Sequence, residues 1–314
     1  MNKIALIVAY FGHLPNYFNL WVKSCTHNPT IDFYLFTDQK FNELPDNIYC
    51  IPFTLEKMRE KASEVLGFEA ALNAPYKCCD YKPLYGVLFS DYIKNYDYWG
   101  HCDVDLIWGD LQHFFDTYSL YDYDKFGVLG HLSLFKNVDK VNNAYLISNS
   151  LVDYKAVFTN NQNFAFDEIH GISGIMIQEG YKVFSKRIFV DIATIFSRYR
   201  ITTAYPLDSK PLNYNCQSFF WDNGKIFHIY EKNGEFYREE YCYVHFQKRP
   251  NFNVFFNDKI VKSFYITKSG FYECSDAPSK ELLNKLNPYK GVIYEMLESM
   301  FKTIRYKIKK HIKN

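Results

Sequence analysis

The stretch YWGHCDVDLIWGDL, residues 98–111, holds three aspartates in otherwise apolar and aromatic sequence, two of them, Asp103 and Asp105, with a single residue between. An unpaired carboxylate in such a setting is costly, so a cation, a hydrogen-bond network or a shifted pKa must accompany it. Alternate residues of a strand face one side, and on a bend following the strand two such carboxylates can converge. Paired oxygens of this kind suit a hard divalent cation, and a cation that also binds a diphosphate stabilises it as a leaving group. The same spacing serves equally for two acids that cap a strand or pair with arginine. A second acidic pair, Asp167 and Glu168 in FDEIHGISG, has two uses as well. It can move a proton, or it can meet the dipole at a helix N-terminus.

The elements that must position these acids read as alternating strands and helices. Residues 3–12, KIALIVAYFG, form an unbroken apolar run ending in glycine, as expected of a strand covered on both faces of a parallel sheet. Pro15 can open a helix with Phe18, Trp21 and Val22 on its apolar face, and IDFYLFTD, 31–38, repeats the strand pattern. That makes a β-α-β unit, whose strand ends are where open α/β sheets bind ligands. Helices are expected over 54–66 and 81–93, the latter with Pro83 in its first turn, then a strand leaving at Asp103 and Asp105, and a strand over 126–135. Asn223-Gly224 and Asn233-Gly234, each between aromatic segments, predict a late antiparallel meander. The tail places Ile293, Leu297, Met300, Phe301, Ile304, Ile308 and Ile312 at helical spacing, interleaved with Lys302, Arg305, Lys307, Lys309, Lys310 and Lys313. Such a helix suits an anionic membrane surface, or packs on the domain with its charges in water.

Composition narrows the field. With 314 residues, 48% hydrophobic, the chain can bury a large core, and 36 Lys and Arg against 35 Asp and Glu give no electrostatic footprint for nucleic acid. The 8 cysteines show no metal or disulfide spacing and read as free thiols of a reducing cytosol. The opening residues imitate a signal peptide without a small-x-small cleavage site, and no apolar run reaches the roughly 20 residues that span a bilayer.

Taken in order, strand, helix, strand ending in FTD, K-x-x-D-x-K-P-x-x-G over 77–86, and then WGHCDVD resemble a DXD-containing nucleotide-sugar glycosyltransferase of the GT-A fold, of the bacterial surface-polysaccharide type. The resemblance covers residues 3–248. It implies an α/β fold, a Rossmann-like mixed sheet flanked by helices, with a late meander and C-terminal helices: a GT-A domain over 1–250 and a helical extension with a basic amphipathic tail over 251–314. Ala9, Tyr10, Phe11, Gly12 and Asp38 resemble the strand ends that hold the nucleoside. Lys77, Asp80 and Lys82 resemble a K-x-x-D-x-x-R segment near sugar and phosphates, with Lys82 and Pro83 standing where arginine is more familiar.

The resemblance makes Asp103 and Asp105 the metal motif, with Asp103 and Val104 also beside the donor, and His245 in YVHFQKR a further ligand for Mn²⁺ or Mg²⁺. Lys248 and Arg249 would then hold the departing diphosphate. Asp167 or Glu168 would be the base of an inverting transfer or would orient the sugar in a retaining one, and Gly130 and His131 would contact sugar or acceptor. The implied activity is hexosyl transfer from a nucleotide-sugar donor, UDP-sugar favoured, to a glycan or lipid-linked acceptor in capsule, lipopolysaccharide or exopolysaccharide synthesis, in the cytoplasm or peripherally at the inner membrane face. A catalytically silent glycan-binding or assembly protein of the same fold is an alternative. So is a metal-dependent phosphoryl transferase or hydrolase, which would need further acidic ligands.

Overall fold

The computed structural model describes residues 2–148, 151–205, 207, 211–247, 251–258, 260–273 and 277–313, and for 306, 307 and 309–313 the backbone alone. The chain divides into two units, each discontinuous in sequence. The first comprises Met1–Leu14, Asn28–Val104 and Gln112–Lys186; the second comprises Pro15–His27, Asp105–Leu111 and Arg187–Asn314.

The first unit is built on strands β1 (Ile4–Tyr10), β2 (Ile31–Thr37), β3 (Ile48–Pro52), β4 (Tyr98–Cys102), β6 (Lys125–Leu129), β7 (Leu132–Lys136) and β8 (Val183–Phe184). They form one mixed sheet in the order β3-β2-β1-β4-β7-β6-β8. β1 pairs in parallel with both β2 and β4, whereas β7 runs antiparallel to β4. The apolar run of β1 is buried from Ile4 to Val8 because neighbours cover both faces. The parallel strands therefore end together, β1 at Tyr10 opposite β2 at Thr37. The helix Leu55–Leu66 starts on Thr54, whose hydroxyl accepts from the Lys57 amide, and buries Met58 and Ala62.

The second unit holds β5 (Leu106–Trp108), β9 (Val190–Asp191), β10 (Gln217–Asp222), β11 (Lys225–Lys232), β12 (Glu235–Tyr241), β13 (Tyr243–His245), β14 (Asn253–Val254), β15 (Ser263–Thr267) and β16 (Gly270–Glu273). β5, β13 and β9 form a small sheet, and the rest form a six-stranded one in the order β12-β11-β10-β15-β16-β14. The two Asn-Gly pairs turn β10 into β11 and β11 into β12, with all four residues at positive φ, as expected. The helix Phe18–Thr26 belongs here, burying Phe18, Leu20, Trp21 and Cys25.

The mixed sheet, the late antiparallel sheet and the C-terminal helices are those expected. Four local expectations are corrected. Residues 126–135 are not one strand but the hairpin β6-β7, turning at Gly130 and His131. Residues 81–93 break into short turns, Cys78–Tyr81, Lys82–Leu84, Tyr85–Leu88 and Ser90–Ile93, because Pro83 supplies no amide and cannot continue a regular helix. The strand expected to carry Asp103 and Asp105 is two, β4 and β5, in separate sheets with the acids in the break. Residues 263–273 are strands rather than part of a helical extension: β15 pairs with β10, and helix begins only at Lys280–Leu286.

The tail is one helix, Val292–Lys313. Glu295, itself buried, ion-pairs with Arg198 and Arg200 and moors its first turns. On its other face Ile293, Met300 and Phe301 are exposed to 76%, 56% and 70%, so this face covers no core. Among the described residues no helix is long and apolar enough to cross a membrane.

Candidate functional site

The end of β1 and the end of β2 are joined by a direct contact. The Gly12 amide donates to the Asp38 carboxylate at 3.1 Å, with Gly12 at a φ of +97° that a side chain would resist. Asp38 is held below the usual carboxylate range by the Gln39 side chain, with the Gly12 amide adding to that. Tyr10 closes the turn by donating its hydroxyl to the His13 carbonyl at 2.8 Å. Ala9, Tyr10, Phe11, Gly12 and Asp38 thus lie at the carboxyl ends of adjacent parallel strands, the position where open α/β sheets take ligands.

Lys77 and Asp80 are brought together but turned inward. Their ion pair is 2.8 Å long, with both side chains buried. Asp80 also accepts the backbone amides of Phe164 at 2.9 Å and Phe166 at 2.8 Å, and Lys77 donates to the carbonyls of Val157 and Gln162. Every polar atom of the pair is therefore committed to protein, which corrects their expected contact with sugar and phosphate. The pair fixes the turn that presents the next two residues, Asp167 and Glu168.

Lys82 occupies the centre of the first unit's acidic cluster. Its ammonium lies 2.7 Å from Asp103 and 3.1 Å from Asp167 and donates to the Gly130 carbonyl at 2.9 Å. Burial opposes its charge, but Asp103 and Asp167 outweigh burial and hold its pKa well above the ordinary value. Asp103 follows β4, its amide bonded to the His131 carbonyl, and its side chain remains 32% exposed. Asp167 is buried, and burial raises its pKa against the pull of Lys82. Glu168 beside it is pushed up to about 7, by burial first and then by the Asp167 charge. A Cβ at Gly130 would fall 2.2 Å from the Asp167 carboxylate, so the hairpin tip must be glycine for these acids to approach it. The helix downstream begins at Ile172 with Gly171 as its N-cap, so Asp167 and Glu168 do not serve as its first-turn acids.

In the second unit Asp105 opens the segment leading into β5, and its carbonyl accepts the Phe246 amide at 3.0 Å just past β13. This antiparallel pairing puts its carboxylate 3.5 Å from Nε2 of His245, while Nδ1 of the same ring lies 2.8 Å from Asp191 on β9. Burial works against a charged imidazole here, yet Asp105 and Asp191 together raise its pKa well above the ordinary value. A carboxylate, an imidazole nitrogen facing it and a second carboxylate orienting the ring from behind form a donor set that fits Mn²⁺ or Mg²⁺. The two acids of the D-x-D motif therefore belong to different units, Asp103 to the first and Asp105 to the second. Lys248 and Arg249 lie outside the described residues.

The model of a family of unknown function, DUF6625, matches residues 6–275. The chain belongs to that family. No curated protein matches this DUF6625 member. Among solved structures, it is similar to the galactosyltransferase LgtC in complex with donor and acceptor sugar analogs, at 11% identity and a TM-score of 0.33, over 60% of this chain and 75% of that one. An active-site mutant of LgtC gives 12% identity and a TM-score of 0.35 over the same shares. One residue beside the D-x-D motif of this DUF6625 chain, Asp191, escapes sequence reasoning, since a lone acid in IFVDIATIF has no spacing partner. Only β9 lying beside β13 brings it to His245.

Proposed function

We propose that the chain is a metal-dependent glycosyltransferase, moving a hexose from a nucleotide diphosphate donor, a UDP-sugar, to a glycan or lipid-linked acceptor of surface-polysaccharide synthesis. The observation that carries this reading is His245 held between Asp105 and Asp191, at the second acid of a D-x-D motif. Asp105 and His245 would hold Mn²⁺ or Mg²⁺, with Asp191 fixing the ring. When bound, the ion would neutralise the departing diphosphate.

The chain's own groups supply the rest. The strand ends at Tyr10, Gly12 and Asp38 would take the nucleoside, through backbone approach at glycine and hydrogen bonds to the acid. Lys82 holds Asp103 in place, while Lys77 and Asp80 hold the turn that carries the acids. Glu168, with a pKa near 7, is suited to accept the acceptor hydroxyl's proton in an inverting transfer, because a base works best when its pKa lies near the working pH. Asp167, paired to Lys82, is suited to orient the sugar.

The test is a thermal-shift screen of UDP, GDP, CDP and ADP, each with and without Mn²⁺, on wild type and Asp105→Ala, followed by donor turnover. A nucleotide shift that needs Mn²⁺ and disappears in the variant is expected. The same shift without any donor turnover would favour the silent binding protein, and no shift at all would remove the donor site. The exposed apolar face of Val292–Lys313 supports peripheral contact with anionic membrane. Sedimentation with anionic vesicles, unchanged by Lys309→Glu with Lys310→Glu, would remove that contact.

A further inference from the structure

Among the described residues, Arg187 is a buried cation that the fold leaves without a hydrogen bond. It lies four residues before Asp191, is 8% exposed, and among the described residues none of its three guanidinium nitrogens has a hydrogen-bond partner. The neighbouring arginines are treated differently. Arg198 donates to the carbonyls of Tyr214 and Asn215 and pairs with Glu295, and Arg200 pairs with Glu295 as well. The central guanidinium carbon of Arg187 instead lies over the face of Phe189, 5.5 Å from the ring centroid, and that ring in turn stacks on Tyr243 at 5.3 Å. Asp191 acts on its charge through space without bonding to it. A second buried atom on the same short stretch is also unmatched. Asp191 gives one carboxylate oxygen to His245, and its other oxygen has no partner among the described residues.

A buried charge without a bonded partner is strongly unfavourable, so a chain that retains one has a use for it. The guanidinium fork matches two oxygens of a phosphate or carboxylate, and the aromatic face beneath it keeps the fork flat and oriented. An unmatched carboxylate oxygen four residues away would repel a bare anion but suits one that arrives beside a cation.

We infer that Arg187 is an oxyanion-binding residue, receiving a phosphate or carboxylate group of a substrate beside the Asp191–His245 pair. The inference deepens the glycosyltransferase reading by giving the substrate a recognised anionic group, but its chemistry stands without that reading. Because the guanidinium nitrogens are covered, the anion enters by displacing a covering side chain, and pairing the orphaned charge offsets that displacement. Two sources share the chemistry, a donor phosphate and an anionic group of the acceptor.

The experiment compares wild type, Arg187→Met and Arg187→Lys as full chains in chloride buffer at constant ionic strength, following the thermal midpoint against inorganic phosphate, glucuronate, UDP alone and UDP with Mn²⁺. Without anion, Arg187→Met should melt higher than wild type, by about 2 °C or more, because it removes an unpaired buried charge while keeping most of the volume. Phosphate should raise the wild-type midpoint, fail to raise that of Arg187→Met, and require at least roughly tenfold more anion in Arg187→Lys, which keeps the charge but loses the fork. A response to UDP that Arg187→Met abolishes assigns the donor phosphate. A response to phosphate and glucuronate, with the UDP response intact in the variant, assigns the acceptor's anionic group.

A wild type indifferent to every oxyanion overturns the inference, as does an Arg187→Met that melts lower than wild type with its phosphate response unchanged. Asp105→Ala separates the two proposals. Loss of the Mn²⁺-dependent UDP shift with the phosphate response retained leaves Arg187 standing alone, and a glycosyltransferase failure in wild type leaves the phosphate arm unaffected.

Discussion

Lys77 and Lys82 stand five residues apart on one run of short helical turns, both buried and both paired with aspartate. Around Lys77 every oxygen is spoken for: Asp80 binds the ammonium and two backbone amides, and the remaining ammonium donors reach carbonyls. Around Lys82 the bonding stays open. Asp103 keeps a third of its side-chain surface in water, and Glu168 is half ionised near neutral pH. Burial of a charge therefore says little about function by itself. What separates a brace from a site is whether its partners have any bonding capacity left.

The comparison breaks first at Asp80. Asp80→Ala leaves Lys77 buried without a counter-charge and frees two amides, so it should cost about 3–5 kcal/mol in denaturant unfolding at pH 7. A cost below about 1 kcal/mol would make the pair incidental. Next comes a split between the two lysines. Lys82→Met should lower transfer per folded molecule at least about a hundredfold, since it releases both Asp103 and Asp167, whereas Lys77→Met should act through stability alone. Equal kinetic losses in the two variants would erase the distinction.

Smaller and more diagnostic is Glu168→Gln. The folded pKa of about 7 lies above the ordinary 4.5, so the protonated form is the one that the fold favours. The stability this provides is complete below about pH 4.5 and is lost as pH rises through 7, a span worth roughly 3 kcal/mol. The charges around it are Asp167, Lys82 and Asp103, with Lys125 also in electrostatic range. Glutamine cannot ionise, so the variant should gain stability over wild type across that span while losing the rise of activity toward pH 7. Parallel pH curves for the two proteins would show that Glu168 titrates normally. Smallest is Asp191→Asn, which weakens the hold on the His245 ring. Mn²⁺ affinity, read by calorimetry, should fall at least roughly tenfold with the fold intact.

Much of the scaffold was legible in the sequence because it obeys local rules. The apolar run of β1 has to be covered on both faces, and Asn223-Gly224 and Asn233-Gly234 have few conformations other than the tight turns they form. D-x-D and the acids at 167 and 168 were visible as types out of place in apolar surroundings. Sequence could not say which basic group each acid would meet. The Lys82–Asp167 pair joins residues 85 apart, and Asp191 reaches His245 only through strand pairing. Arg187 stayed hidden for the opposite reason, since an arginine without a hydrogen-bond partner among the described residues leaves no pattern to find. The hairpin at Gly130 was read as one strand because GHLSLF continues the apolar character through the turn, and what requires glycine there is Asp167, distant in sequence.

The interleaving of the two units along the chain has a consequence for synthesis on the ribosome. The second unit draws on Pro15–His27 and Asp105–Leu111 long before Arg187 is made. β5, with Asp105 at its head, finds its hydrogen-bonded neighbour only when β13 emerges, more than a hundred residues later. During that interval a short apolar strand preceded by an unneutralised acid has no sheet to join. Nascent chains stalled before residue 243 should therefore protect the first unit's β1 and β2 from protease while leaving 105–111 open to cleavage, which makes closure of the Asp105–His245 pair one of the last events in the protein's biogenesis.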